Sequence, residues 1–349
     1  MGFWAGRRVL VTGHTGFKGS WLCEMLLARG AAVSGLALAP DTRPALFDQL
    51  GLAGRVDHAV GDIRDSSLVA ARMRDVRPEV VLHLAAQPLV RRSYREPLET
   101  WATNVMGTAH VLEAVRAQDT PCAVVVVTTD KVYENREWEH PYRENDPLGG
   151  HDPYSASKAG TELVAESWRK SFFAGSGVRL ATARAGNVIG GGDWSEDRIL
   201  PDLARAFGAG SSLLVRNRHA VRPWQHVLDP LEGYLLLAER LAGPEPARFE
   251  AGFNFGPEPA DQRSVGELVE AARAHWAGDW TDATDPDAPH EAGQLALSIE
   301  RARMVLGWQP RWDFARAVAE TVGWYRDVAA GADPAERVRA QIAAFGGGA

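Results

Sequence analysis

The stretch Arg8-Val9-Leu10-Val11-Thr12-Gly13-His14-Thr15-Gly16-Phe17-Lys18-Gly19 joins a short apolar run to a glycine-rich turn. The apolar run predicts a buried strand, and residues 20–29 continue with helical spacing. Glycines at such a junction let the backbone turn tightly and approach a pyrophosphate, which free N–H groups at a helix N-terminus bind. We therefore predict a dinucleotide-binding turn, with contacts from Gly13, His14, Thr15, Gly16, Phe17, Lys18 and Gly19.

The rest of the chain repeats this alternation of strand and helix. Apolar runs that predict further strands lie at 32–38, 56–60, 80–84, 123–127 and 178–184. This order predicts an α/β fold, a Rossmann-type doubly wound parallel sheet. Residues 1–185 would form this cofactor-binding domain and also carry catalytic residues. Residues 186–349 would form a smaller, mixed α/β substrate domain, with some chain returning to the first domain near 220–260.

Composition narrows the class of protein. The chain has 349 residues, 45% of them hydrophobic, enough for a substantial core. Its net charge of -7 and lack of basic runs argue against a nucleic-acid or membrane surface. No apolar run reaches the roughly 18 residues of a membrane span. The two cysteines, Cys23 and Cys122, fit reduced thiols, so we expect a cytoplasmic protein without a disulfide framework or metal site.

Further cofactor contacts are expected where the next strands end. Asp62 follows the third strand and can accept a hydrogen bond from the adenine amino group. Small residues after the fourth strand let a cofactor lie close to the backbone. The additional contacts we predict are Asp62, Ile63, Leu84, Ala85, Ala86, Gln87 and Asn104. Asp41 favours NAD and Arg43 favours NADP near the second strand's end, so these residues alone leave the choice open.

Two polar groups predict catalysis. Thr128-Thr129-Asp130-Lys131-Val132-Tyr133 follows the buried run 123–127, and the carboxyl ends of parallel strands face the ligand crevice. Tyr154 and Lys158 are four residues apart, on one face of a predicted helix. An ammonium there would lower the phenol's pKa from about 10 toward neutrality, giving a base that takes a hydroxyl proton as hydride leaves.

A third group predicts substrate contacts. Residues 185–194 are rich in glycine and carry the Asn187 amide and the Trp194 ring, which suit a sugar or a base. Arg198, Arg216 and Arg222 could grip a diphosphate through their guanidinium groups, although each could equally be a solvated surface residue. Trp138 and Trp224 could also line the sugar. The spacing of Trp276, Trp308 and Trp324 favours the core instead.

Together these motifs resemble the extended short-chain dehydrogenases/reductases that act on nucleotide sugars, and among them the CDP-glucose 4,6-dehydratase group. The segments that carry the resemblance are TGHTGFKGSW (12–21), AAQPLVR (85–91), TDKVYENREW (129–138), RAGNVIGGGDW (184–194), VRPWQHV (221–227) and PHEA (289–292). The resemblance implies bound NAD, CDP-glucose as substrate and a homodimer or homotetramer. It implies substrate contacts from Gln87, Asn187, Trp194, Arg198, Arg216, Arg222 and His290.

The resemblance also implies a reaction. Tyr154, with Lys158, would oxidise the glucose C4 hydroxyl, and Thr129 would hydrogen-bond its oxygen. The C4 ketone acidifies the C5 proton, so the C6 hydroxyl can leave as water. Asp130 would be the acid for that step, which needs a carboxyl pKa raised by burial or a like neighbour. Return of the hydride to C6, with a proton added back at C5, would give CDP-4-keto-6-deoxyglucose.

Lys131 stands where many relatives that dehydrate other nucleotide glucoses have glutamate. We hypothesise that it is the base at C5, for which it must be neutral, through desolvation or the nearby Lys158 charge. It could instead stay charged and stabilise the C4 enolate while water or another side chain takes the proton.

Other functions stay open from these residues. The chain could dehydrate a different nucleotide sugar, or be a 4-epimerase that returns hydride to C4. The Thr129-Asp130-Lys131 triplet argues against a plain epimerase, which has no elimination to catalyse. A cofactor-binding scaffold without catalysis would not need Tyr154, Lys158, Thr129 and Asp130 together.

Overall fold

The computed structural model describes residues 2–284 and 295–347. Its strands are, in chain order, β1 (Arg8–Thr12), β2 (Ala32–Ala37), β3 (Asp57–Val60), β4 (Val80–His83), β5 (Cys122–Val127), β6 (Val178–Ala185), β7 (Val188–Ile189), β8 (Leu213–Val215), β9 (Val221–Pro223), β10 (Gln225–His226), β11 (Gly252–Phe255), β12 (Gln262–Ser264) and β13 (Trp280–Asp282). Seven of them form one parallel sheet in the order β11-β6-β5-β4-β1-β2-β3. The direction of winding reverses between β1 and β4, which opens a crevice at their carboxyl ends. The predicted Rossmann-type sheet is confirmed.

Helices connect the strands. They are α1 (Phe17–Ala28), α2 (Leu46–Gln49), α3 (Ser66–Val76), α4 (Val90–Arg95), α5 (Pro97–Trp101), α6 (Gly107–Arg116), α7 (Pro153–Trp168), α8 (Ile199–Gly208), α9 (Leu228–Leu241), α10 (Val265–Arg273), α11 (Phe314–Ala329) and α12 (Pro334–Gly346). The described residues contain no helix that is both long enough and apolar enough to cross a membrane. The buried helix α9 was absent from the predicted elements.

Strand alternation divides the core between the two faces of the sheet. Val9 and Val11 of β1 pack in the cluster that includes α1 and α9 side chains. Leu10, between them, points to the other face and packs with α3 and α6 side chains. This is the period of two expected when both faces of a strand are covered.

A separate core holds the chain beyond β6 together. Side chains of α8, β8, α10 and α11 form it. Trp224 is buried in this cluster, and its Nε1 donates a hydrogen bond to the Arg263 carbonyl. Trp308 and Trp324 are buried, as predicted.

Residues 97–116 are helical throughout but do not form one regular α-helix. Between α5 and α6 the chain makes a π-helical turn, Ala102–Met106. A second π turn, Arg169–Phe173, continues α7. Cys23 and Cys122 are both free and buried, which confirms the prediction of two thiols.

Candidate active site

The polar stretch after β5 turns inward where the strand ends. Thr129 caps a short 3-10 turn, Asp130–Val132, and its hydroxyl accepts a hydrogen bond from the Lys131 backbone N–H at 3.4 Å. The same hydroxyl lies 2.9 Å from Asp130 Oδ1 and donates to it. The turn therefore places a hydroxyl and a carboxyl inside the protein, at the end of β5.

Asp130 is 2% exposed, and its Oδ2 has no hydrogen-bond partner among the described residues. Gly186 lies opposite, because a Cβ there would be 3.2 Å from Asp130 Oδ2. Burial raises the pKa of the Asp130 carboxyl, although Lys131, Thr129, Arg222 and Lys18 each oppose the rise. The direction is the one that a proton donor requires.

Helix α7 brings Tyr154 and Lys158 to the same place. Its first turn is fixed by Asp152, whose carboxylate accepts hydrogen bonds from the Ser155 N–H at 2.9 Å and the Ser155 hydroxyl at 2.6 Å. Tyr154 and Lys158 are both buried on one face of the helix. The Tyr154 phenol lies close enough to the Thr129 hydroxyl for Thr129 to lower its pKa, and Lys158 Nζ donates a hydrogen bond to the Val127 carbonyl at 3.0 Å.

The pKa relation predicted for this pair is wrong for the protein alone. Burial raises the pKa of Tyr154 to about 12, although the nearby Thr129 hydroxyl lowers it in part. Burial lowers the pKa of Lys158 to about 8, against the Glu162 carboxylate, which raises it. Both groups lose water, so desolvation exceeds the attraction on which the prediction relied.

The glycine-rich turn packs closely against neighbouring backbone, so side chains at two of its glycines would collide with it. Gly13 has φ +74°, and a Cβ there would come within 2.7 Å of the Ala85 backbone nitrogen. A Cβ at Gly19 would lie 2.2 Å from the Gly13 carbonyl oxygen. The turn and the chain after β4 are therefore in contact, and the helix α1 begins directly beyond them. This cradle fits a dinucleotide phosphate.

Side chains of the turn point in different directions. His14 is buried beside Gly35 and Phe47, and its Nε2 lies 2.6 Å from His58 Nδ1. Burial and His58 lower the pKa of His14 to about 4. The Thr15 hydroxyl donates to the Leu38 carbonyl at 2.8 Å.

Phe17 and Lys18 turn toward the rest of the site. The Phe17 ring lies against Gly190, where a Cβ would be 3.0 Å from it. Burial and the neighbouring cations Arg198 and Lys158 lower the pKa of Lys18 to about 7, while the Asp130 and Asp193 carboxylates raise it. Lys18 thus belongs to the charged cluster around Asp130.

Asn104 links the segment after β4 to α7. It lies buried in the π turn, and its Oδ1 accepts from the Gln87 N–H at 2.8 Å. Its Nδ2 donates to the Gln87 carbonyl at 3.2 Å and to the Ser157 hydroxyl at 2.9 Å. The Gln87 amide itself bonds Leu89 and Thr100, so its side chain is held by the protein.

The remaining predicted cofactor residues lie along the same edge. Asp62 Oδ1 accepts a hydrogen bond from the Arg64 backbone N–H at 2.8 Å, and Asp62 Oδ2 accepts one from Arg64 Nη2 at 2.6 Å. Ile63 is buried, and its side chain fills the space beside Gly107. Asp41 lies 3.8 Å from Arg92. Leu84 and Ala86 are half-buried on either side of Ala85.

The predicted arginines separate into two groups. Arg222 is buried close enough to Asp130 to lower its pKa, and Arg198 pairs with the buried Asp193 at 3.4 Å. Arg216 instead pairs with Asp197 and with Asp202, the latter at 3.2 Å, in a more exposed position.

The other predicted substrate residues follow the strand β6. The Asn187 carbonyl accepts from the Gln225 N–H at 3.1 Å. Trp194 is half-buried, with its ring 5.1 Å from that of Tyr325 and its Nε1 3.3 Å from Gln49 Oε1. His290, with its segment 289–292, lies outside the described residues.

Lys131 is half-buried, whereas Asp130 is buried. It lines a cavity of about 290 Å³, together with Glu134, His151, Asp152 and Ser155. Among residues 2–284 and 295–347, no group of histidine, cysteine, aspartate and glutamate is arranged to hold a metal ion.

Glu162 and Arg184 were missed from the sequence. They form a buried ion pair, 2.9 Å between Arg184 Nη2 and Glu162 Oε2, beneath Lys158. The available signal was the spacing: Glu162 follows Lys158 by four residues and so shares its helix face.

Comparisons with known proteins agree with this arrangement. The family model described as GDP-mannose 4,6 dehydratase matches residues 10–321. A CDP-glucose 4,6-dehydratase from Salmonella typhimurium is 48% identical over 330 residues, covering 93% of this chain and 92% of that protein. The crystal structure of the dTDP-glucose 4,6-dehydratase DesIV from Streptomyces venezuelae, with NAD bound, matches with a TM-score of 0.78 and 28% identity. It covers 94% of this chain and 99% of that one. A Thermus thermophilus UDP-glucose 4-epimerase in complex with NAD gives the same TM-score and identity, covering 91% and 99%.

Proposed function

The chain belongs to the GDP-mannose 4,6-dehydratase family, and from that premise we propose that it is an NAD-dependent lyase that dehydrates CDP-glucose to CDP-4-keto-6-deoxyglucose. The observation that carries the proposal is the buried Asp130 carboxyl, which accepts a hydrogen bond from Thr129 close to the buried Tyr154 phenol. An epimerase needs no acid there, whereas elimination of water does. The 48% identity to a CDP-glucose 4,6-dehydratase supports the choice of nucleotide.

The residues that would hold NAD are those of the glycine turn and the segment it touches, Gly13 to Gly19 and Leu84 to Gln87. When bound, NAD supplies the hydride acceptor for C4 and the hydride donor for C6. The close backbone packing at Gly13 and Gly19 supports this assignment, because it gives the tight turn that brings backbone N–H groups to a phosphate. Asp62 stays a predicted adenine contact, with Arg64 as its present partner.

Oxidation would begin with the Tyr154 phenol. Its pKa of about 12 in the protein alone must fall for it to take the C4 hydroxyl proton. The positive nicotinamide ring and the Lys158 ammonium would both favour the phenolate. Thr129, whose hydroxyl lies close to the phenol, would orient the C4 oxygen.

Elimination would use the other two residues of the triplet. Asp130, protonated because burial raises its pKa, would donate to the departing C6 oxygen. Lys131, from the cavity side, would remove the C5 proton. Acid and base would thus act from different directions, with the sugar between them.

The substrate diphosphate would lie against Arg222 and Arg198, the two arginines near the Asp130 cluster. Arg216, Asn187, Trp194 and Gln87 remain predicted substrate contacts farther along, and His290 remains one outside the described residues. The pairing of Arg216 with two carboxylates supports a weaker contribution from it.

We also propose a homodimer or homotetramer. Large apolar side chains are exposed on the outer faces of the neighbouring segments 97–116 and 153–173, which contact each other: Leu98, Trp101, Met106, Leu163 and Phe172. Leu98 is 84% exposed, an unusual position for a leucine unless another surface covers it. Light scattering on the Leu98→Glu/Leu163→Glu variant should show a smaller species than the wild type. An unchanged mass would remove this face from the interface. The two buried thiols support a cytoplasmic location.

The test of function is a panel of nucleoside diphosphate glucoses. CDP-glucose should give the absorbance that 4-keto-6-deoxy sugars develop in base, together with loss of the C6 hydroxyl by mass spectrometry. Faster turnover of dTDP- or UDP-glucose would contradict only the assignment of cytidine as the substrate's nucleoside. Formation of a nucleotide-linked galactose without any keto product would show that the protein is an epimerase. The absence of a reaction with every donor would overturn the proposal that it is an enzyme.

A further inference from the structure

Glu162 continues the line of catalytic side chains along α7. Tyr154, Lys158 and Glu162 recur every fourth residue, so their side chains lie on one helix face. All three are buried. A buried carboxyl without a role in the reaction is costly unless it is fully paired.

Four hydrogen bonds satisfy the Glu162 carboxylate. Thr128 Oγ1 donates to Oε1 at 2.5 Å, and Thr182 Oγ1 donates to Oε2 at 2.7 Å. Arg184 donates from Nε to Oε1 at 3.0 Å and from Nη2 to Oε2 at 2.9 Å. Burial alone would raise the pKa of Glu162, but this ion pair and these hydrogen bonds hold it below its ordinary value. The group is therefore a fixed negative charge.

Two contacts from helix α7 hold the end of β5 in place. Lys158 binds the Val127 carbonyl and Glu162 binds the next side chain, Thr128. The following residues are Thr129 and Asp130, which contact Tyr154 and each other. Helix α7 is thus joined to the strand end at consecutive residues, immediately before the reacting groups.

The charges around Lys158 come from several elements. Lys18 of α1 lies nearby with its pKa lowered by burial to about 7, and His83 of β4 is neutral because burial lowers its pKa to about 3. Glu162 lies on α7 itself, with Arg184 of β6 bound to its far side. For Arg169, in the π turn after α7, burial lowers the pKa and the Glu162 charge opposes this change. Of these groups, Glu162 is the anion that favours the Lys158 ammonium.

We propose that Glu162 is a positioning residue for the oxidation step: through Thr128 it fixes the strand end that carries Thr129 and Asp130, and one helical turn away it supplies the buried counter-charge for Lys158. This inference rests on the proposed function, because it assigns Lys158 to C4 oxidation. Arg184 has the supporting part of keeping Glu162 ionised.

The first test is the Glu162→Gln variant, which removes the charge and keeps the size. The Lys158 ammonium should then lose its proton at a pH lower by about one unit or more. NMR titration of lysine labelled with nitrogen-15, with Lys158→Arg to assign the signal, measures this without substrate. With a wild-type pKa of about 8, the rate of C4 oxidation at pH 8 should fall about fivefold from this cause alone.

Glu166→Gln is the matched control. It removes the same charge from the same helix at a half-buried position, where Glu166 pairs with Arg169 and Lys170. Its Lys158 titration should match the wild type. If Glu162→Gln leaves Arg184 too costly to bury, the double variant Glu162→Gln/Arg184→Met removes both charges and should show the same downward shift.

A second pair of variants separates position from charge. Thr128→Val breaks the link to the strand end and keeps Glu162, so C4 oxidation should slow about tenfold with an unchanged Lys158 titration. Glu162→Asp should restore the titration. An unshifted Lys158 titration in folded Glu162→Gln would overturn the inference. If that titration shifts but no nucleotide glucose reacts with the wild type, the proposed function fails and the charge role stands.

Discussion

Asp130→Asn is the substitution that most directly separates the two halves of the proposed reaction. Asparagine has nearly the same shape, and its Oδ1 can still accept the hydrogen bond that Thr129 donates at 2.9 Å. Its amide replaces the Asp130 Oδ2 that has no partner in the described structure. The fold and the Tyr154–Thr129 contact should therefore survive, while the proton for the C6 oxygen is lost.

The size of the effect follows from that lost proton. General acid catalysis contributes about 10²- to 10⁴-fold, so the barrier to elimination should rise by about 3 to 5 kcal/mol. C4 oxidation should stay within about threefold of wild type, because Tyr154 and Lys158 are untouched. In the wild type, the rate of elimination should also fall as the pH rises above the raised pKa of Asp130, because the proton donor must be protonated.

Single-turnover experiments in deuterated water resolve the steps. In Asp130→Asn, reduced nicotinamide should accumulate, and C5 should exchange its proton while the C6 hydroxyl stays in place. Asp193→Asn is the control: that carboxyl is buried too, but it pairs with Arg198, so KM should rise without a block in elimination. Normal product formation by Asp130→Asn would refute the reasoning. An equal loss of C4 oxidation would also refute it, because Asp130 would then act in the first step.

Three more predictions use other groups of the site and the fold. Lys131→Ala should keep C4 oxidation but slow both C5 exchange and loss of water by about 10²-fold or more, and normal exchange would mean that another group is the base. Tyr154→Phe should reduce formation of reduced nicotinamide by about 10²-fold or more, while calorimetry shows NAD and CDP-glucose binding within a few-fold of wild type; a small loss would exclude Tyr154 as the base. Asp229 tests stability: burial raises its pKa from 3.8 to about 7, against hydrogen bonds from Arg311 and Trp312, so the folded protein holds a proton that the unfolded chain releases. Its contribution is complete at low pH and is lost as pH rises toward 7, so Asp229→Asn should flatten the decline in melting temperature between pH 4 and 7.

The sheet and the meeting of Thr129 with Tyr154 could be predicted because their signals are local. Buried runs such as 123–127 have one reading in an alternating α/β chain, and parallel strands bring their carboxyl ends to one edge. Spacing of four residues was enough to place Tyr154 and Lys158 together. These inferences need no knowledge of distant contacts.

The charge states and the pairings could not be predicted in the same way. The pKa of Tyr154 depends on how much water the fold removes, which spacing does not reveal. Arg184 meets Glu162 only because β6 lies beside β5 under α7. The outward pairing of Arg216 with Asp197 and Asp202 depends on the placement of α8 next to β8.

The π turn at Ala102–Met106 makes the position of Asn104 depend on the number of residues in this part of the helix. The turn holds Asn104 toward Gln87 and Ser157, and the Asn104 carbonyl accepts hydrogen bonds from Thr108 at 2.6 Å and Thr161 at 2.9 Å. Each residue of an α-helix turns it by about 100°. Deleting one residue at 102–103 would let the helix close regularly and swing Asn104 away from both partners. Insertions and deletions in this helix should therefore be selected against, even where they fall on its exposed face and alter no side chain of the site.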